Sequence, residues 1–287
     1  GLLYDLLPPS TASTWSTIIH CMIGGLGMFA LARHLQLSTL PAILTSVVFI
    51  FNRFFLGHLF AGHLTLVQAD GWLPVIFLFV HRMAFALQVR FAVAAGLVLG
   101  VQVLGGFPQI TFYTVLLIVA YGLVRSIGRF KNGEARNAVL TGAGIVPVMA
   151  IGVAMAAVQL LPTLEFTELS TREGGLSYAF ATTDSLHPKE LLALFMPDLM
   201  GSAVDGTYWR SRETWHFWET CGYVGIAPLF LLVVGGRNGT WQRLHWFLVV
   251  VVLCSLLLAL GEHNPLYPWI AQLPGFRSFR IPAQIIY

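Results

Sequence analysis

Residues 138–161 read AVLTGAGIVPVMAIGVAMAAVQLL and contain no charged side chain. About 20 predominantly apolar residues in an α-helix cross the hydrocarbon core of a bilayer, and this segment is long enough to do so. The segment is apolar on every side, whereas a strand of a membrane β-barrel alternates polar and apolar residues. Residues 138–161 therefore predict a membrane-spanning α-helix.

The composition of the whole chain points the same way. Its 287 residues are 56% hydrophobic and only 10% charged, with a mean hydropathy of +0.75. Soluble domains carry about 25% charged residues, so we expect the bilayer to be the main solvent of an all-α, polytopic transmembrane bundle. The net charge of +3 is small, and no basic cluster interleaves with aromatic residues, so no nucleic-acid partner is predicted.

Eight apolar runs are predicted as spanning helices, and the start of another follows at Ile281–Tyr287. Gln68, Asp70 and Gly71 interrupt the third run, and the fourth and seventh runs are short for a full span. The predicted spans are Trp15–Ala32, Leu40–Leu56, Leu64–Val80, Phe91–Leu104, Ile110–Val124, Ala138–Leu161, Tyr223–Val234 and Leu244–Leu260.

The distribution of Lys and Arg predicts the orientation, because short cytoplasmic loops are enriched in these residues. Alternate loops carry the cations, and the loop at residues 105–109 between them has no charge. The N-terminus and the long loop at about residues 162–220 are therefore predicted to lie outside the cytoplasm. The cations of the alternate loops are Arg33, Arg82, Arg90, Arg125, Arg129, Lys131, Arg136, Arg237 and Arg243.

The long loop contains an apolar segment, Pro188–Pro197, that is too short to span a membrane. We expect it to form an amphipathic helix at the outer interface, with Trp209, Trp215 and Trp218 at headgroup depth. Residues 1–287 are interpreted as a single transmembrane domain. The chain begins at Gly1 and stops within an apolar segment, so we expect a fragment of a longer protein that lacks both ends.

Two polar clusters on the predicted outer side are candidates for chemistry. The first contains His58, His63 and Asp70, which could bind a metal, a phosphate or a proton at the membrane mouth. The alternative is that they satisfy a backbone broken by glycines. The second contains Glu165 and Arg172 at the outer end of a long helix, where a carboxylate acts as a base or forms local ion pairs. The cysteines have no metal-ligand spacing, and no metal site is predicted.

Two further groups lie later in the chain. Glu219 precedes the seventh predicted span, where a role at the helix N-terminus is favoured because the helix dipole attracts an anion. Arg277 and Arg280 lie just ahead of the last apolar segment and suit a lipid-linked phosphate, since guanidinium binds phosphate oxygens through two parallel hydrogen bonds. The alternative for both arginines is that they extend to lipid headgroups.

The order of several short motifs resembles that of the YfhO-like bacterial membrane proteins, which belong with the GT-C superfamily of glycosyltransferases. The resemblance covers nearly the whole chain. Its motifs are Leu7-Pro8-Pro9, Gly27–Arg33, His63 with Ala69–Pro74, Gly106–Tyr113, Gln159–Pro162, Gly222–Gly225, Asn264–Tyr267, Leu273–Phe276 and Phe279–Pro282.

This resemblance implies a GT-C-like fold in a bacterial inner membrane. It also implies transfer of a sugar from a polyprenyl-phosphate donor on the extracytoplasmic side, by a carboxylate that is often assisted by a divalent metal. In that family the main catalytic carboxylate lies in the first outer loop, and Asp5 is the only acid that this chain retains there. The main catalytic residue is therefore unassigned, and the candidates for a catalytic role are His63, Asp70 and Glu165.

The support positions carried over from the family are His63, Glu165 and Arg280. The lipid-phosphate ligands expected from this sequence are Arg277, Arg280 and Arg172. Membrane lipids and a polyprenyl-phosphate sugar are then the expected partners. Two alternatives stay open. The chain could be a non-catalytic subunit packed with other membrane subunits in a respiratory or photosynthetic complex. It could also be a transporter, because transporters use broken helices such as the one near Asp70.

Overall fold

The computed structural model describes residues 2–170, 174–201, 205–208, 217–234 and 242–286, and within these ranges it contains helices and no strand. The α-helices are α1 (Leu2–Leu6), α2 (Pro9–His34), α3 (Thr39–Ile50), α4 (Arg53–Phe60), α5 (Leu64–Asp70), α6 (Leu73–Ala86), α7 (Val89–Leu104), α8 (Pro108–Lys131), α9 (Ala135–Ala143), α10 (Ile145–Glu168), α11 (Tyr178–Ala181), α12 (Phe217–Thr220), α13 (Ile226–Val234), α14 (Gln242–Ala259) and α15 (Tyr267–Ile270). Short 3₁₀ helices occupy Pro188–Leu194, Gly261–His263, Phe276–Ser278 and Pro282–Ile286.

Five helical segments are long and apolar enough to cross a membrane, and they mark the chain as an all-α membrane protein. Two shorter apolar helices lie at Val89–Leu104 and Arg243–Ala259. The predicted count of eight spans and the GT-C-like arrangement stay predictions. The five segments are Pro9–His34, Thr39–Phe60, Leu64–Ala86, Pro108–Lys131 and Ala135–Glu168.

Three of these segments are interrupted, and one of the interruptions is Gly144, which separates α9 from α10 in the segment that was predicted as one span at residues 138–161. The expected interruption of the third predicted span is confirmed, because α5 ends at Asp70 and α6 begins at Leu73 with Pro74 in its first turn. The second predicted span, expected to be continuous, is broken at residues 51–52. There the Asn52 side chain accepts a hydrogen bond from the Phe55 N–H at 2.8 Å and starts α4 as its N-cap.

By the packing of its backbone, the chain divides into two compact units. The first unit comprises Gly1–Phe51 and Gly62–Glu165, and the second comprises Asn52–Ala61 and Phe166–Tyr287. The prediction of a single transmembrane domain over residues 1–287 stays a prediction.

In the first unit, α2 packs against α3, α5 and α6, and α8 packs against α6, α7 and α9. Small residues let α2 come close to the break between α5 and α6. A Cβ on Gly24 would lie 3.2 Å from the Gly71 Cα, and one on Gly27 would lie 2.6 Å from a Val75 methyl carbon. These α2 glycines therefore form a helix-packing surface.

In the second unit, the Pro282–Ile286 helix packs against α14 and α12, and α4 also packs against α12. A small apolar core joins Leu186, Ala259, Ile281 and Ala283. The expected helix at Pro188–Pro197 is present as a shorter 3₁₀ helix that ends at Leu194. Its placement at a membrane interface stays a prediction, and Trp209 and Trp215 lie outside the described residues.

Candidate functional site

The first unit contains polar side chains around the break between α5 and α6. Asp70, the last residue of α5, is only 4% exposed. Its carboxylate forms no hydrogen bond or ion pair with the residues that the structure describes. A carboxylate in this situation is costly to keep charged inside a membrane, which is why such residues usually have a function.

A buried glutamine from α7 closes one side of this break. The Gln102 amide donates hydrogen bonds to the Ala69 carbonyl oxygen at 2.9 Å and to the Thr114 hydroxyl at 3.0 Å. The Ala69 carbonyl belongs to the last turn of α5, where backbone acceptors lack partners within their own helix. The same carbonyl oxygen accepts the Trp72 N–H at 3.2 Å, so the Gln102 amide gives it a second hydrogen bond at the break.

Two acceptors near this network are themselves buried without a partner among the described residues: the Gln102 Oε1 atom and the Thr111 hydroxyl. Sequence reasoning missed Gln102. The available signal was a lone amide within the apolar run Val101-Gln102-Val103.

Helix α2 closes another side of the same break. The Gln68 amide donates to the Ser16 hydroxyl at 3.0 Å, and the His20 Nδ1 atom lies 2.7 Å from the Ser16 carbonyl oxygen. The His20 ring also packs edge-on against Trp72, with 5.9 Å between ring centroids. These polar groups are hydrogen-bond acceptors and donors within segments long enough to span, so the arrangement suits a proton, a water molecule or a small cation.

The structure places the three candidate catalytic residues in different environments. His63 is half-buried at the N-cap position of α5, whereas Asp70 is at its other end, so about 10 Å of helix separates them. Glu165 is exposed near the end of α10 and pairs with none of the described residues. Asp70 and His63 are therefore held by one short helix, while Glu165 is accessible from solvent or lipid headgroups.

The second unit contains a buried polar group that the sequence interpretation placed differently. Glu219 belongs to the four-residue helix α12 and is 2% exposed, whereas α13 begins only at Ile226. Its Oε2 atom accepts a hydrogen bond from the Gln284 amide at 2.8 Å and lies 3.7 Å from the His58 Nε2 atom. The predicted role of Glu219 at the N-terminus of the seventh span stays a prediction, and its side chain is bound inside the second unit.

Cys221 lies beside this group and is buried. Its thiol donates to the Trp218 carbonyl oxygen at 3.2 Å and lies 3.5 Å from the Arg53 carbonyl oxygen. Burial raises the pKa of the Cys221 thiol to about 12. The thiol is therefore uncharged at neutral pH and unsuited to act as a nucleophile.

The predicted lipid-phosphate ligands lie on an exposed part of the second unit. Arg277 and Arg280 are both exposed, and the Arg277 carbonyl oxygen accepts a hydrogen bond from the Leu176 N–H at 3.0 Å. The Arg280 guanidinium lies over the Phe180 ring, 5.4 Å from its centroid. The third predicted ligand, Arg172, lies outside the described residues.

Large apolar side chains are exposed in the same segments as the two arginines. Phe180 and Tyr178 are 44% and 41% exposed, and Leu273 and Trp269 are 51% and 67% exposed. Of these four side chains, Phe180 lies beneath the Arg280 guanidinium, so a cationic and an apolar group are exposed together there.

No protein-family model, curated protein or solved structure matches the chain. The resemblance to the YfhO-like family therefore stays a prediction. The case for a function rests on the chemistry of the two groups of residues described above.

Proposed function

We propose that the protein is a membrane glycosyltransferase of the GT-C type, which uses a polyprenyl-phosphate-linked sugar on the extracytoplasmic side of a bacterial inner membrane. The observation that carries this proposal is the exposed pair of arginines, Arg277 and Arg280, among exposed aromatic and aliphatic side chains. The predicted orientation, with the N-terminus and the long loop outside, belongs to the same proposal.

The chemistry of the donor fits this surface. Each guanidinium presents several N–H donors in a planar fork that matches phosphate oxygens. Arg277 forms no ion pair with the residues that the structure describes, so its donors are available to a ligand. The exposed Trp269 and Leu273 side chains provide apolar contact for the first isoprene units of a polyprenyl chain.

A sugar transfer also needs a base that reaches the acceptor hydroxyl. Of the two candidate carboxylates, Glu165 is exposed and Asp70 is buried, so Glu165 is the better placed to contact a substrate in water. We therefore leave Asp70 out of the proposed reaction and keep Glu165, a residue of the first unit, as a candidate base that is tested separately from the donor surface of the second unit.

The proposal is tested with purified protein in nanodiscs and a panel of undecaprenyl-phosphate hexoses carrying a radiolabel in the sugar. We expect donor binding to weaken at least tenfold in the Arg277→Ala/Arg280→Ala double variant, a loss of about 1.4 kcal/mol. Transfer to water or to added glycan should be lost in Glu165→Gln. The matched control is Arg243→Ala, an exposed cation of the same unit outside the proposed surface. Donor binding that does not change in the double variant would contradict the proposal.

A second candidate function, transport of a proton or small cation, is favoured by one specific observation. Asp70 is buried, has no partner among the described residues and ends a broken span-length segment, which is how transporters build ion sites. Proteoliposomes with a pH-sensitive or sodium-sensitive dye inside would test it. We expect flux in the original protein and at least tenfold less in Asp70→Asn, whereas equal flux in both would rule this candidate out.

A further inference from the structure

An apolar groove in the first unit has no role in either proposed function. It lies along α8, α9 and the first half of α10 and encloses about 620 Å³. Its lining includes Gly122, Gly142, Ile145, Val146 and Val153, and all of its lining residues are apolar or glycine. These helices belong to segments long enough to cross a membrane, so lipid hydrocarbon is the medium expected around the groove.

Small residues make the floor of the groove and large ones make its rim. A Cβ on Gly122 would lie 2.8 Å from a side-chain carbon of Ile145, so α8 and α10 approach closely there. Leu123, Val146 and Val153 are 56%, 66% and 53% exposed beside this floor. The groove is therefore open along its length, as the binding of a flexible hydrocarbon chain requires.

Cations lie beyond one end of the groove. Ser126 and Arg129 follow Gly122 at helical spacing, so they continue the same face of α8. The Arg129 guanidinium donates at 2.6 Å to the hydroxyl of Thr141, the residue before Gly142 in the lining. It also donates to the carbonyl oxygens of Asn137 and Phe85 and lies 3.9 Å from a Glu134 carboxylate oxygen, so most of its donors are already in use. The apolar groove and the Arg129 side chain therefore share α8 and α9.

A second guanidinium near this end has unused hydrogen-bonding capacity. The Arg125 Cζ atom lies 4.2 Å from the centroid of the Phe85 ring, and its Nε atom is buried without a hydrogen-bond partner among the described residues. Between residues 125 and 136 the chain carries four cations and one acid, Glu134. Basic pockets between membrane helices bind the head groups of anionic lipids, and arginine does so through its planar fork.

We propose that this groove is a specific site for one anionic phospholipid, with an acyl chain along α8 and α10 and the phosphate held by Arg125, beside the already bonded Arg129. A zwitterionic phospholipid such as phosphatidylcholine also carries a phosphate, but its quaternary ammonium would lie beside the four cations of residues 125–136. The charge of the 125–136 segment therefore selects the head group, and the groove selects an amphiphile over a free phosphate.

The test is native mass spectrometry of the purified protein in mild detergent, titrated with dioleoyl phosphatidylglycerol or with the matched phosphatidylcholine. We expect the protein to retain the anionic lipid at least tenfold more tightly. Arg125→Ala should remove this preference, and Arg125→Lys should restore it in part. The matched control is Arg90→Ala, another cation of the first unit that lies over an aromatic ring, Phe91, and it should keep the preference.

A second variant tests the apolar part without touching the charges. Ala150 lines the groove and is exposed, so Ala150→Phe should fill the space and weaken the retention of both lipids. Thermal unfolding and size-exclusion profiles show whether each variant folds. If Arg125→Ala does not fold, the lipid retention of Ala150→Phe tests the proposal instead. Equal retention of the two lipids by the original protein would overturn the proposal, as would a dimer that forms through this groove and excludes lipid.

Discussion

At the scale of single residues, the buried carboxylate of Glu219 depends on the Gln284 amide, which donates to it at 2.8 Å. Gln284→Met keeps the length of the side chain but removes this donor, so the acid loses a hydrogen bond that replaces water. We expect the free energy of unfolding to fall by about 1–3 kcal/mol, measured by thermal and denaturant unfolding in detergent.

The matched control for that substitution is Gln272→Met. Gln272 is exposed, and its amide donates only to the Pro268 carbonyl oxygen one turn earlier in the chain. A surface change of this kind should alter the free energy of unfolding by less than about 0.5 kcal/mol. Equal losses in the two variants would mean that the bond between Gln284 and Glu219 does not stabilise the second unit.

The Cys221 thiol predicts a dependence of stability on pH. Burial raises its pKa to about 12 in the folded chain, compared with about 8.5 for an unperturbed thiol. Above pH 8.5 the unfolded chain loses this proton and the folded chain keeps it, so the free energy of unfolding falls as the pH rises. The expected fall is about 1.4 kcal/mol for each pH unit above 8.5.

Other groups titrate in the same range, so the measurement compares the original protein with Cys221→Ala at pH 7.5 and pH 9.5. The difference between their free energies of unfolding should shift against the original protein at the higher pH by about 1.4 kcal/mol. Parallel pH profiles of the two proteins would show that the thiol titrates normally in the folded state.

At the scale of helices, the break between α5 and α6 depends on the close approach of α2. A Cβ on Gly71 would lie 2.8 Å from the His20 carbonyl oxygen, which is backbone and cannot move aside cheaply. Gly71→Ala should therefore destabilise the protein by about 1–3 kcal/mol, measured by thermal unfolding.

The control for this substitution uses a glycine with free space around it. Gly128 lies inside α8, and no atom would lie within 4 Å of a Cβ built there. Gly128→Ala should stabilise the helix by up to about 1 kcal/mol, because alanine loses less backbone freedom than glycine. The two substitutions should therefore change the free energy of unfolding in opposite directions. A loss of stability in both would show that the close approach of α2 to Gly71 does not explain the effect.

The sequence predicted best the helices that can be recognised from the length of an apolar run alone. Residues 110–124 are an example, since they lie within the uninterrupted helix α8, whereas residues 138–161 are divided between α9 and α10 at Gly144. The break at Asn52 was missed although two polar residues, Asn52 and Arg53, lie inside the predicted span, because apolar residues before and after them extend the run to span length. The break at Gly71 was predicted because polar and glycine residues mark it directly.

The candidate sites were less predictable, because they depend on contacts between distant parts of the chain. Gln102 and the Ala69 carbonyl oxygen are 33 residues apart, and Glu219 and Gln284 are 65 residues apart. A sequence shows that such side chains are polar, but it does not show which partner each will meet. Sequence reasoning therefore selected Asp70 as a candidate and could not foresee the amide that supports its helix.

At the scale of the molecule, lipid as the solvent explains why so many large apolar side chains are exposed on the described helices. Leu26, Val158 and Phe230 are 63%, 76% and 65% exposed, which would promote aggregation in water and is favourable against hydrocarbon. The same solvent requires that each backbone polar group be satisfied inside the protein. The caps and amides at the helix breaks meet this requirement.

Helix α8 gives the sharpest test of the predicted orientation, because both of its ends lie in the first unit. It runs from Pro108 to Lys131, a length of about 36 Å that exceeds the hydrocarbon core. An uncharged loop precedes it, and the cation-rich segment at residues 125–136 includes its end, so the Pro108 end should face outward and the Asn132 end the cytoplasm. With intact cells and an impermeant maleimide, Pro108→Cys should react at once and Asn132→Cys only after permeabilisation. Labelling of both positions in intact cells would show that α8 does not span, and the reverse pattern would invert the orientation on which the proposed extracytoplasmic chemistry depends.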